Sequence, residues 1–221
     1  MPKETFFNLP SDKRNLIISA AMEEFSKANY NTASINRICK RSNIPKGSFY
    51  QYFEDKMDLY VYIMNLAIQE KIMFFSAAIT DFQSLTLSEQ IRLLFSKGVE
   101  FAKKHPQYAA LGEQFSKEND EAARSAVIKE GNRQSEALFE QMIKNAKEKG
   151  EIDSRVDDLA LNLLLQSLNS AVNKFMSEKY GNAGYEFVKE DVNNFVDSIL
   201  SIIFNGIQRK VGQGGYHEQK N

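Results

Sequence analysis

The sequence predicts an all-α protein in which a small three-helix domain precedes a larger helical one. Apolar residues recur at helical spacing along nearly the whole chain, and no segment alternates apolar and polar side chains as a half-buried strand does. With 43% of its 221 residues hydrophobic, the chain also has enough apolar surface for a packed core, which excludes wholesale disorder.

Ser11 is the expected cap of a first helix whose apolar stripe reads Ile18, Ala21, Met22, Phe25. That helix is expected to end near Asn29, a residue tolerant of the left-handed conformation. Ser34 caps a short second helix with Ile35, Ile38 and Cys39 facing inward. Asn43 and Ile44 form a tight turn, and Pro45 suits the first position of a third helix. That helix turns Phe49 and Phe53 to the same core. Asp55 and Asp58 open a long fourth helix reaching roughly Thr80. At ~1.5 Å per residue its roughly 25 residues span nearly 40 Å, more than a three-helix domain can contain. It must enter the next domain. Thr86 and Glu89 make a capping-box pattern for the next helix, which His105-Pro106 interrupts. Further helices run from Pro106 to about Lys117, Asp120 to Gly150, Val156 to Lys179 and about Lys189 to Lys210. The expected division is residues 1–56, residues 57–211 and a mobile polar tail over 212–221.

The net charge of −1 excludes nothing, but its distribution is uneven. Residues 1–56 hold nine basic and six acidic side chains, and between Asn31 and Phe53 there are four basic residues and no acidic one. A basic stretch on an otherwise acidic chain is the footprint of a local polyanion site. Two short helices joined by a tight turn within that stretch point to a helix-turn-helix.

Three runs make the pattern specific: Ile18-Ser-Ala-Ala-Met-Glu-Glu-Phe25, Ser34-Ile-Asn-Arg-Ile38 and Ile44-Pro-Lys-Gly-Ser-Phe-Tyr-Gln-Tyr-Phe53, continued by Asp55-Lys56-Met-Asp-Leu59. Together they resemble the N-terminal signature of the TetR family of transcriptional regulators. Asn29 and Asn43 stand where that family usually has glycine, Cys39 where it has alanine, and Pro45 where serine is common. The resemblance implies a DNA-binding head, an effector-binding and dimerisation domain, and contacts to DNA from Ser34, Lys46, Gly47, Tyr50, Tyr52 and Lys56. Chemistry agrees at several of these. Lys46 is a point charge for phosphate, Gly47 allows close backbone approach, and the tyrosines join an apolar ring to a phenolic donor. Ser48 and Gln51, with Lys46 and Gly47, are the candidates for base contact. Arg37, Lys40 and Arg41 either meet phosphates or solvate the second helix, and the alternative for Tyr50 and Tyr52 is an ordinary half-buried packing role.

In the larger domain, the helices beginning near Val156 and Lys189 are apolar over more than one face and need covering on two sides. A second copy of the chain supplies the outer cover most simply, through Leu164, Leu168 and Val172 on one helix and Phe195, Ile199 and Ile203 on the other. A homodimer with two heads requires a palindromic double-stranded operator. Phe101, Tyr108, Phe115, Phe139 and Met142 could line an effector cavity with Gln114, Gln166 and Asn169 as polar anchors, or simply fill core.

A protein-binding scaffold that keeps a helix-turn-helix, and an enzyme, are the competing classes. The charge asymmetry speaks against the first. No nucleophile–base pair, phosphate loop or metal spacing supports the second, since His105 and His217 are far apart and Cys39 is the sole cysteine. Neither cofactor nor metal is expected. Lacking a leader or an 18-residue apolar run, the chain is expected to be soluble and cytoplasmic, with no membrane partner. The expected function is a repressor released from its operator by a small molecule that the sequence does not identify.

Overall fold

The computed structural model describes residues 1–78, 81–180 and 189–206, and every regular element among them is helical. The order is α1 (Glu4–Phe7), α2 (Ser11–Lys27), α3 (Ile35–Arg41), α4 (Lys46–Tyr52), α5 (Lys56–Ala78), a single 3-10 turn (Phe82–Ser84), α6 (Leu87–Lys104), α7 (Pro106–Ser116), α8 (Glu121–Glu148), α9 (Asp158–Tyr180) and α10 (Lys189–Asn205). The expected end of the fourth helix at Thr80, the last turn of the final helix and the 212–221 tail lie outside the described residues.

Local chemistry explains most boundaries. The Ser34 hydroxyl accepts the Arg37 amide, and the Asp120 carboxylate accepts the Ala123 amide. The Asp55 carboxylate likewise accepts the Asp58 amide at 2.8 Å. Thr86 and Glu89 form the expected reciprocal capping box, and Pro106 begins α7 after the break at His105. Gly150, at φ 72°, closes α8 with a Schellman turn in which the Glu151 amide donates to the Ala146 carbonyl at 2.9 Å.

Four expectations are corrected. Pro10, with extended φ and ψ, occupies the cap position of α2, so Ser11 is the first helical residue and caps nothing. The buried face of α2 is Ile17, Ala20, Ala21, Met22, Glu24 and Phe25, which keeps Ala21, Met22 and Phe25 of the expected stripe but turns Ile18 to the margin of the core. Asn29 has no left-handed backbone; its side-chain oxygen instead accepts the Thr32 amide at 3.1 Å and hydroxyl at 2.6 Å, turning the loop by an Asx bond. Pro45 is the residue before α4 rather than its first.

The apolar interior forms two clusters. One joins α1–α5 to Leu111 on α7 and to Ala123 and Val127 on α8, so the core of the N-terminal helices runs on into α7 and α8. The other packs α6, the second half of α8, α9 and α10 around Ile91, Met142, Leu165 and Val196. Lys189 and Lys97 both donate to Glu100, holding its carboxyl down to about 2 and tying α10 to α6.

Nothing in the sequence pattern announces α1. Four residues are too few to show a period, and the segment is helical because Phe6 is completely buried against Phe53, Tyr52 and Tyr62.

Candidate nucleic-acid interface

The turn between α3 and α4 follows from one residue. Asn43 takes a left-handed φ of 52°, and the Ile44 amide then reaches back to the Cys39 carbonyl at 3.0 Å. This is a Schellman turn with asparagine in the usual glycine place. Ile44 is buried beneath it, and Ser42, also buried, donates its hydroxyl to the Ile38 carbonyl at 2.8 Å. Burial pushes the Cys39 thiol up, as expected of a cysteine used as a small core residue.

α4 is amphipathic across its two turns. Phe49 and Tyr52 face the core, while Lys46, Gly47, Tyr50 and Gln51 are exposed and Ser48 is half-buried. Tyr50 is 45% exposed, its ring set edge-on to Phe49 at 5.2 Å. A Cβ placed on Gly47 would meet nothing within 4 Å, so no neighbour inside the chain demands glycine there. Tyr52, by contrast, is 7% exposed and belongs mainly to the core.

The C-terminal end of α4 is held by the segment that sequence reasoning missed. The Lys3 amide donates to the Tyr52 carbonyl at 2.8 Å, the Lys3 ammonium to the Tyr50 carbonyl at 3.0 Å, and the Thr5 hydroxyl to the Gln51 carbonyl. These three carbonyls have no partner within a helix that stops at Tyr52. α1 supplies one.

A buried carboxylate sets the angle between α2 and α3. Glu24, 3% exposed, accepts the Ser34 amide at 2.8 Å and two guanidinium nitrogens of Arg37 at 2.5–3.0 Å, with Arg41 at 3.5 Å. Burial pushes the Glu24 carboxyl up, but the Arg37 and Ser34 hydrogen bonds outweigh it and leave the group below the ordinary value. Arg37 also donates to the Thr32 carbonyl at 2.9 Å, so its guanidinium is committed within the head. Lys56 is similarly engaged, donating to the Asn31 and Ala33 carbonyls at 3.3 and 3.1 Å from above the Tyr30 ring. Of the nine residues proposed to meet DNA, Lys46, Gly47, Ser48, Tyr50 and Gln51 share one open helix. Ser34, Arg37 and Lys56 ring the start of α3, where they also shape the loop.

The residues proposed for an effector cavity do not form one group. Phe101 stacks on His105 at 4.8 Å and lies 6.1 Å from Tyr108, with Phe74 of α5 at its edge. Phe115 packs on the N-terminal cluster beneath Arg124, and Gln114 is half-buried one residue before it. Phe139 and Met142 are in the second core. Gln166 donates to Asn162 at 2.7 Å, and Asn169 is exposed. The sequence marks His105 only as a helix break and Phe74 only as part of a long helix, so neither shows its place in this ring cluster.

The proposed dimer residues also divide. Leu168 and Val172 are buried in the chain's own second core, and Phe195, Ile199 and Ile203 pack against its margin, with Phe195 stacked on Phe175 at 4.3 Å. Leu164 is exposed, together with Leu159 and Leu163 on α9 and Ile202 and Phe204 on α10. Among the described residues no helix is long and apolar enough to cross a membrane.

Two short helices at a fixed angle, the second exposing lysine, glycine and tyrosine, define a helix-turn-helix head on a helical body. Residues 17–63 match the family model for bacterial regulatory proteins of the tetR family. A crystal structure of a TetR family transcriptional regulator from Chloroflexus aurantiacus is 27% identical and covers 95% of this chain and all of that one, with a TM-score of 0.67. Over residues 17–63 the chain is thus similar to the tetR family of bacterial regulatory proteins, and over nearly its whole length to a solved regulator of that family. An uncharacterised HTH-type transcriptional regulator of Bacillus subtilis, YuxN, is 39% identical over 54 residues, a match spanning 24% of this chain and 19% of that protein. The fold is also that of the transcriptional regulator FadR from Bacillus subtilis in complex with stearoyl-CoA, at 18% identity, TM-score 0.67, and coverage of 88% and 99%. These proteins are regulators rather than enzymes.

Proposed function

We propose that this chain is a dimeric transcriptional repressor that reads a palindromic operator through α4 and leaves it when a small molecule binds between α5, α6 and α7. The observation that carries DNA reading is the exposed edge of α4. Lys46, Tyr50 and Gln51 project from a helix whose other face is packed, and Gly47 is a glycine that nothing inside the chain requires. Lys46 and Tyr50, four residues apart, share one face and can approach the same stretch of groove. A positively charged surface with a small backbone step suits phosphate at close range.

Dimerisation is supported by the exposed leucines of α9 and the exposed Ile202 and Phe204 of α10, large apolar side chains that a second copy can cover. Two copies related by a two-fold axis present two heads to two inverted half-sites. Residues 1–56 act as the head and 57–211 as the effector and dimer domain, with α5 bridging them. The effector class is supported by the aromatic cluster of Phe74, Phe101, His105 and Tyr108, and by the relative named with stearoyl-CoA: an apolar chain carrying an anionic group. The cell compartment is the cytoplasm.

The test is a mobility-shift titration with DNA from upstream of the chain's own coding region, with and without stearoyl-CoA. Specific retardation over a competitor of unrelated sequence supports DNA reading. No retardation, by a protein shown to be folded and dimeric, overturns it. Retardation unaffected by saturating stearoyl-CoA removes the long-chain acyl reading alone.

A further inference from the structure

Between Ser116 and Glu121 the chain turns from α7 into α8, and Glu118 in this turn is 3% exposed. Its carboxylate faces two ways. One oxygen accepts the Asn119 and Asp120 amides at 3.0 Å each, holding the start of α8. The other accepts the Tyr30 amide at 2.6 Å, 88 residues away in the α2–α3 loop of the head. Arg124 clamps the same turn from the next helical turn, donating to the Glu118 carbonyl at 3.1 Å. On the head side, Tyr30 is half-buried: its ring lies 5.4 Å from Tyr60 and beneath the Lys56 ammonium at 4.5 Å. Lys56 in turn holds the Asn31 and Ala33 carbonyls, immediately before the Ser34 cap of α3. Burial and the nearby Glu118 carboxylate push the Tyr60 phenol up, as expected where that carboxylate lies in a closed site.

We infer that Glu118 is a positioning residue that fixes the orientation of the reading head on the body, by joining the α7–α8 turn to the loop that leads into α3. The inference rests on the DNA reading proposed above. α7 also carries Tyr108 of the aromatic cluster, so a molecule that displaces α7 acts on the same turn. No other side chain among the described hydrogen bonds joins the α2–α3 loop to the α7–α8 turn. The two oxygens have separate duties, and that makes the site testable. Glutamine keeps the size of Glu118 but presents an NH2 group where one oxygen stood. It can satisfy Tyr30 or the Asn119 and Asp120 amides, but not both.

The experiment compares Glu118→Gln with wild type and with Leu165→Ala, which opens a cavity in the distant second core. Spin labels at Lys40→Cys and Glu113→Cys, in a Cys39→Ala background, read the head-to-body distance without DNA. Amide exchange at Tyr30, Asn119 and Asp120 and operator affinity are measured alongside. For Glu118→Gln the expected result is a broadened distance distribution and exchange about tenfold faster at Tyr30 or at the Asn119–Asp120 pair. Operator binding weakens about tenfold because the two heads are no longer held at one spacing. Leu165→Ala lowers the melting temperature and moves none of these. Unchanged distance and exchange in Glu118→Gln overturns the inference, as does a loss of affinity matched by Leu165→Ala. If wild-type protein binds no DNA, the reading-head assignment fails while the distance and exchange comparison still decides the role of Glu118.

Discussion

Phe6→Ala probes α1, a helix that the sequence pattern does not show. The Phe6 side chain is wholly buried, its ring 4.9 Å from Phe53 and 5.5 Å from Tyr62. A phenylalanine of roughly 150–250 Å² at about 25 cal/mol per Å² gives an upper bound of roughly 4–6 kcal/mol. Measured Phe→Ala losses in cores run about 3–5 kcal/mol, so a loss of about 4 kcal/mol is expected. The effect should spread beyond Phe6. A four-residue helix has no stability of its own, so releasing its anchor also releases Lys3 and Thr5 from the Tyr50, Gln51 and Tyr52 carbonyls. Urea unfolding followed by circular dichroism measures the first effect, and amide exchange across α4 measures the second. A loss under about 1 kcal/mol with an unchanged m-value, or α4 exchange as slow as in wild type, would refute the claim that α1 braces the reading helix.

Glu24→Gln should cost about 2 kcal/mol at neutral pH, at the low side for a buried pair because Arg37 opens to solvent. Since the folded Glu24 carboxyl lies below its unfolded value, its contribution is complete above about pH 4.3 and disappears as pH falls through the folded value. Stability curves of wild type and variant should therefore converge in acid; a gap that widens below pH 4 contradicts the ion-pair account. Leu163→Asp with Ile202→Asp should raise the dimer dissociation constant by about 100-fold or more while leaving the helical content intact. Analytical ultracentrifugation reads this, and wild-type protein sedimenting as a monomer at micromolar concentration would contradict the proposed interface.

The helix-turn-helix was legible because its signals are local. Ser34, Asn43 and Pro45 each mark a boundary through their own backbone or side-chain chemistry, and Thr86 with Glu89 does the same for α6. Errors arose where a local rule allowed two solutions. Ser11 could cap but Pro10 already supplies the extended residue before α2, and Asn29 could turn left-handed but uses its side chain instead. What the sequence could not reveal is long-range pairing. Glu24 with Arg37, Glu118 with Tyr30 and Phe6 with Tyr62 join residues that no periodicity connects. On α9 the doubly apolar pattern was visible, but only packing shows that Leu168 faces inward and Leu163 outward. The same limit scattered the proposed cavity residues over two cores, because aromatic composition does not encode which helices meet.

The central claim is that the exposed edge of α4 reads DNA, and operator affinity across a salt series tests it most directly. Wild type, Lys46→Ala, Tyr50→Ala and Tyr50→Phe are compared, with circular dichroism and sedimentation confirming folded dimers. Lys46→Ala is predicted to weaken binding to all sequences and to lower the salt slope by about one unit per head. Tyr50→Ala is predicted to cost more than Tyr50→Phe, because it removes the 45%-exposed ring as well as the hydroxyl. Wild-type affinity and an unchanged salt slope in both alanine variants would mean that α4 is not the reading helix.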